Sequence, residues 1–414
     1  MAKIVGGIGV SHTPTIGFAV DQGLNDDEAW RPVFENLGEV RSWLDAVKAD
    51  VIFIVYNDHV TSFFFDHYSA FTLGVDNEYR PADEGGGARA LPPLAGHDQL
   101  ARHIAQSMTE QEFDLSFFRD RPLDHGCLSP LSILNLSGDR WSVPIVPLQV
   151  GVLQFPIPTA KRCFNFGQAL KVAIESYPED LRVVVLGTGG LSHQVHGERA
   201  GFNNPDWDKE FLDLIENDPE ALTELTHTEY MLRGGAEAIE IIMWLIMRGA
   251  LGENVRKVQS SYYLPSMTAI ATLVLEPEES EGAAVGAPEP ASQLAGVEAI
   301  DGTYPFSLER AASAYELNAF LHRLVEPDFR RAFLEDADQL MDSAGLEERD
   351  RVLIRNRDWP GLIHRGATFF VLEKLGAVLG ISNLDIYAGM KGVTLDELLA
   401  TRQAKTKYSV AGGS

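Results

Sequence analysis

The sequence predicts an α/β domain followed by a smaller all-α domain. Three observations carry that expectation. Short apolar runs alternate with longer amphipathic segments up to residue 275, the pattern of strands and covering helices. A stretch from 276 to 299 then mixes Glu, Gly, Ala and Pro with almost no large apolar residue, as a linker does. Beyond it, apolar residues recur only at three- and four-residue spacing.

Strands are expected at residues 3–10, 51–56, 113–118, 143–150, 182–186, 258–263 and 268–275, each a short β-branched or aromatic run. Helices are expected at 33–49, 99–109, 160–175, 207–216 and 229–251, where the apolar positions form one stripe. The second domain predicts helices at 307–324, 328–337, 346–356 and 361–379 and few strands, if any. The boundaries follow as 1–278 for the α/β domain, 279–299 for the linker and 300–414 for the helical domain. No fixed-period repeat and no long charge run is present.

Composition narrows the function classes. With 414 residues, 45% hydrophobic and 23% charged, the chain has ample material for a core, which excludes disorder as its main state. Sixty acidic against 34 basic residues leave a formal charge of −26, a surface that repels nucleic acid and anionic lipid. The longest strongly apolar run, 239–247, carries Glu240 and falls far short of the ~20 residues of a membrane span. Met1-Ala2-Lys3-Ile4-Val5 enters a strand without the order of a secretory leader. The two cysteines, Cys127 and Cys163, form no CxxC pair, and a reducing, cytoplasmic setting is expected.

Of eleven histidines, four share one context, just past the end of an expected strand: His12, His59, His125 and His193. In open α/β sheets the ligand crevice lies outside the carboxyl ends of the strands. One such histidine is ordinarily a hydrogen-bonding loop residue, whereas four in the same position point to a shared site. His67, His97, His103, His196, His227, His322 and His364 fall on helices or polar loops and are expected at the surface or in caps.

Two imidazoles holding a divalent ion commonly need an anionic third ligand, and two histidines with one carboxylate leave a face open for substrate and oxygen. The expected helix 229–251 offers Glu237 beside two glycines and Glu240 among Ile239, Ile241, Ile242, Met243 and Trp244. A carboxylate in apolar surroundings is costly unless partnered, and a metal is such a partner. Glu240 is therefore preferred, with Glu237 as the alternative. The fold class becomes an α/β catalytic domain with a strand-end metal site, followed by the smaller all-α domain.

Other motifs say less. Gly7-Ile8-Gly9 lacks the third glycine of a dinucleotide fingerprint, and no Walker-type lysine motif occurs. The glycines of Gly187-Thr188-Gly189-Gly190 are expected to let the backbone bend so that His193 points inward. Cys127, two residues past His125, is expected to be a small buried hydrophobe rather than a nucleophile. Residues 84–89 read as a loop over the site or a simple turn.

Taken together, the segments around His12 (Gly-Gly-Ile-Gly-Val-Ser-His-Thr-Pro-Thr), Tyr56-Asn57-Asp58-His59, Leu123-Asp124-His125-Gly126-Cys127, the Gly187 to Gly197 stretch holding His193, and the segment bearing Glu240 resemble the type II extradiol dioxygenases of the protocatechuate 4,5-dioxygenase family. The resemblance spans nearly all of the α/β part. The helical segment is similar to the small α subunit of that family, here fused behind the catalytic portion as in its gallate-cleaving members.

The resemblance implies that His12, His59 and Glu240 hold a non-haem Fe(II), that His193 is the catalytic acid/base and that His125 is a second hydrogen-bonding group beside the substrate. It implies insertion of both atoms of O2 into gallate to give 4-oxalomesaconate, with protocatechuate as the alternative substrate. Thr268 first and Ser266 second are candidates for the substrate carboxylate. Thr13 is a candidate for the third hydroxyl, and Tyr387 and Tyr408 for capping the pocket from the same or a neighbouring subunit. A homodimer is expected, because a fused small-subunit segment needs a docking surface. Rival readings are a zinc hydrolase on the same ligands and a scaffold with a degenerate site.

Overall fold

Eight strands form the principal sheet: β1 (Lys3–Val10), β2 (Val51–Tyr56), β3 (Phe71–Gly74), β4 (Ser116–Phe118), β5 (Ile145–Val150), β6 (Arg182–Thr188), β7 (Val255–Tyr263) and β8 (Ile270–Pro277). They lie in the order β7-β8-β1-β6-β2-β5-β3-β4. The computed structural model describes residues 1–84, 88–195, 199–265, 267–278, 302, 304 and 307–400. It divides the chain into two units, Met1–Ala291 and Ser292–Ser414, a division inside the segment expected to be the linker.

The inner strands β1, β6, β2 and β5 run parallel. Every residue of β2 and β5 is buried, as is every residue of β6 after Arg182. Strands covered on both faces are largely apolar, which is why these segments were legible as short runs rich in Val, Ile and Leu. On either side the direction reverses, with β8 antiparallel to β1 and β3 antiparallel to β5. The helix Arg31–Val47 packs Val33, Leu37 and Val40 into the core with Ile8, Ile52 and Val184. Each such side chain contributes roughly 1.5–3 kcal/mol by leaving water.

Most strands lie within three residues of their expected bounds. The short β3 escaped notice, as did the helices Pro14–Asp21 and His125–Leu134. Both helices carry weak propensity: the first opens on a proline, and the second holds Pro130 within it.

The expected helix 229–251 is a correction. The chain forms a helix His227–Gly234, a 3-10 stretch Glu237–Met243 and a second helix Trp244–Ala250. Gly235 breaks it, with φ at +100°, and a Cβ there would stand 2.2 Å from the carbonyl oxygen of His193. Only glycine fits that approach. The tighter 3-10 winding then presents Glu240 to the strand ends.

The second unit packs its own core from Leu317, Phe320, Leu321, Leu372, Leu375 and Ile386. Its described residues contain helices and no strand. The expected helix 307–324 divides into Leu308–Ser313 and Tyr315–His322, and 361–379 into Trp359–Arg365 and Phe369–Leu379, with Gly366 ending the first of that pair in the left-handed region. Among the described residues no helix is long and apolar enough to cross a membrane.

Candidate active site

Three adjacent parallel strands end on the same edge of the sheet and deliver three histidines to it. His12 and His59 lie two and three residues past the ends of β1 and β2, and His193 lies five past β6, which runs between them. Glu240 enters from the 3-10 stretch. One donor atom from each of His12, His59 and Glu240 falls within 4.8 Å of the other two. Glu240 Oε1 is 3.2 Å from His12 Nε2 and 3.9 Å from His193 Nε2, and Oε2 is 4.0 Å from His59 Nε2.

Each ring is held from behind. His59 Nδ1 donates to Asp124 Oδ2 at 2.8 Å, which leaves Nε2 with a lone pair facing the cluster. His12 Nδ1 pairs with Thr188 Oγ1 at 2.8 Å. His193 Nδ1 faces the carbonyl oxygen of Leu191 at 2.7 Å, so that nitrogen carries the proton and Nε2 is the free base. His125 stacks on His59 with ring centroids 3.9 Å apart. Its backbone N–H donates to Glu84 Oε1 at 2.9 Å, and its Nδ1 bonds Glu84 Oε2 at 2.5 Å.

The charge state follows from these contacts. Burial opposes ionisation of Glu240, yet the facing imidazoles of His12, His193 and His59 outweigh it and hold the carboxyl far below its usual range. The Gly190 N–H also donates to Oε1. Burial pushes His12 down, favouring the neutral ring. For His59, burial works the same way but is overcome by the hydrogen bond and charge of Asp124, and the ring moves up. Asp124, whose burial would raise it, is held down by His59.

Whether these residues suit a metal is tested by one atom: His12 Nε2 is buried without a hydrogen-bond partner, although a carboxylate oxygen lies beside it. A lone pair so placed, with a second imidazole and a carboxylate converging on it, is the donor set of a two-histidine, one-carboxylate centre. Glu237 stands apart and accepts the Val195 N–H at 2.9 Å. Asp124 with His59 and His125 forms a second group of suitable donors. Its oxygen Oδ2 already receives the two His59 hydrogen bonds, so it acts as the support of the first group.

The remaining candidates divide. Thr13 is buried and caps the helix Pro14–Asp21, its Oγ1 2.8 Å from Thr15 Oγ1. Thr268 is half-buried, and its Cγ2 would touch a Cβ on Gly190 at 2.8 Å, as would His193 Cε1, so it borders the His193 loop. Tyr387 belongs to the second unit and stacks on Phe369 at 4.8 Å. Ser266 and Tyr408 lie outside the described residues, as do residues 85–87 of the expected loop. Cys127 and Cys163 are free and buried, and burial pushes both thiols up, which removes Cys127 as a nucleophile.

Sequence reasoning passed over Asp124, Thr188 and Glu84. Asp124 did carry a signal: an Asp just before a segment that turns out helical is a capping residue, and here its Oδ1 accepts the Gly126 N–H. Thr188 and Glu84 stood in segments singled out for their glycines, and nothing local gave either side chain a role.

An edge of parallel strands bearing this donor set, with an unengaged base beside it, is a site for metal-assisted chemistry on a small molecule. Residues 6–274 match the family model described as the catalytic LigB subunit of aromatic ring-opening dioxygenase, and 317–403 match the LigA subunit of the same enzyme. The chain belongs to the aromatic ring-opening dioxygenases, with the two subunit types joined in one polypeptide. It is 58% identical to a protein named gallate dioxygenase from Pseudomonas putida, over 80% of this chain and 98% of that one. It is also 28% identical to a 2,3-dihydroxyphenylpropionate/2,3-dihydroxicinnamic acid 1,2-dioxygenase of Photorhabdus laumondii, over 62% of this chain and 91% of that one.

Proposed function

We propose that this ring-cleaving dioxygenase is an Fe(II)-dependent extradiol enzyme that acts on gallate and yields 4-oxalomesaconate. The observation that carries the reading is the convergence of His12, His59 and Glu240 within 4.8 Å, with His193 Nε2 unbonded beside them. The 58% identity to a gallate dioxygenase supports the substrate.

His12, His59 and Glu240 would hold the ion. A ferrous ion there supplies Lewis acidity toward two adjacent ring hydroxyls and a redox route between the ring and O2. The protein's own part is proton handling and orientation. His193 Nε2 accepts a hydroxyl proton from the substrate and later returns it, while the Leu191 carbonyl keeps Nδ1 protonated and the ring in one tautomer. His125, gripped twice by Glu84, presents its remaining ring nitrogen as a hydrogen-bonding group. Thr268, beside the His193 loop, is the candidate for the substrate carboxylate, and Thr13, next in sequence to His12, for the third hydroxyl.

Oxygen uptake by protein loaded with ferrous salt and ascorbate tests the reading. Rapid consumption with gallate and a ring-opened product of the 4-oxalomesaconate mass are expected. Faster turnover of protocatechuate would reassign the substrate, and oxygen uptake restored by another divalent ion but not by ferrous salt would reassign the metal. His193→Phe is expected to lower turnover about 10²–10⁴-fold, the usual weight of an acid/base group. The same reading places the enzyme in the cytoplasm as a homodimer. Its two buried free thiols suit a reducing compartment, and light scattering checks the dimer.

A further inference from the structure

We infer that Asp208 is a positioning residue for the reaction, acting through Ser192 to fix the direction in which the His193 ring enters the site. The inference rests on the proposed role of His193 as acid/base. Asp208 lies on the helix Pro205–Asn217 and is 1% exposed, and the hydrogen bonds to its carboxylate come from Ser192 and Tyr262.

Its carboxylate is spent on the residue that precedes His193. Oδ1 accepts the Ser192 backbone N–H at 2.7 Å, and Oδ2 accepts the Ser192 hydroxyl at 2.7 Å and the Tyr262 hydroxyl at 2.9 Å. The same helix-leading segment completes the grip: the Asn204 N–H donates to Ser192 Oγ at 2.7 Å and Asn203 Nδ2 to the Ser192 carbonyl at 2.6 Å. Every polar group of Ser192 is thereby engaged. Since His193 Nδ1 bonds the Leu191 carbonyl, the ring is tied to the backbone on the far side of Ser192, and rotation there would carry Nε2 away from Glu240.

Two glycines leave room for His193 where it stands. A Cβ on Gly190 would lie 2.8 Å from His193 Cε1, and one on Gly235 2.2 Å from the His193 carbonyl oxygen. A buried carboxylate held by three neutral donors is expensive to keep unless the geometry it enforces is used.

Asp208→Asn, Asp208→Ala and Ser192→Ala in the full chain test this. The asparagine retains an acceptor for the Ser192 N–H, so it keeps the fold if the alanine does not. Turnover per bound iron is expected to fall at least tenfold in both Asp208 variants, with KM and iron content within about twofold of the parent. In a His193→Phe background the same substitutions are expected to add nothing, because both act on one step. Independently of activity, the His193 Nδ1 proton, followed by NMR before iron loading, is expected to exchange with water at least tenfold faster in the variants. Unchanged turnover and exchange in Asp208→Asn and Asp208→Ala, or a loss that multiplies with that of His193→Phe, would overturn the inference. If His193→Phe itself leaves turnover intact, the reading of His193 fails, and the exchange measurement still decides whether Asp208 holds the ring.

Discussion

Asp124 Oδ2 accepts two hydrogen bonds from a single residue, the backbone N–H and the ring Nδ1 of His59, both at 2.8 Å. One oxygen therefore sets both the position and the tautomer of that imidazole. Asp124→Asn keeps an oxygen to cap His125–Leu134 but turns its amide nitrogen toward the two His59 donors, so a loss of about 1–3 kcal/mol is expected in denaturant unfolding. Iron affinity is expected to fall about 10–100-fold, the usual effect of removing such a support, as read by competition with a chelator.

The choice between the two glutamates is decided by a pair of variants. Glu240→Gln is expected to retain under about 1% of turnover, a change of about 2.7 kcal/mol or more, and to lose bound iron. Glu237→Gln is expected to retain iron, because its carboxylate serves the Val195 N–H. Metal analysis of the two purified proteins separates them.

Gly235→Ala joins a strained φ of +100° to a contact of 2.2 Å with the His193 carbonyl oxygen. A loss of roughly 1–3 kcal/mol is expected in denaturant unfolding, from the backbone strain alone. Turnover is expected to fall with it, since the displaced atom belongs to His193.

Alkaline pH is expected to destabilise the protein. Burial raises the phenols of Tyr56, Tyr79 and Tyr230, and moves Tyr68 up to about 12. Each folded value exceeds the unfolded one, near 10, so the stability these groups contribute is complete below pH 10 and is lost as pH rises toward the folded values. Tyr68→Phe is expected to reduce the steepness of the decline between pH 10 and 12 in unfolding midpoints followed by circular dichroism.

Much of the site was legible because strands buried on both faces are unmistakable, and the residues just past them are limited in number. That rule singled out His12, His59, His125 and His193, while the apolar neighbours of Glu240 only favoured it, with Glu237 left open. Less legible were contacts made across the sheet. Thr188 reaches His12 over 176 positions and Asp124 reaches His59 over 65, and such pairings leave no periodicity to read. The break at Gly235 went unseen for a similar reason: the apolar spacing of 229–251 suits a helix, and only the approach of His193 forbids one.

The amino-acid order alone determined two units of different class, a continuous apolar sheet centre and which histidines stand at its edge, because these depend on local burial patterns. Tertiary structure alone decided that Glu240 rather than Glu237 faces those rings, that Asp124 and Thr188 back them, and that Asp208 braces the neighbour of His193. Hydrogen bonds between distant segments are directional over about 3 Å, and only the assembled sheet brings their partners that close.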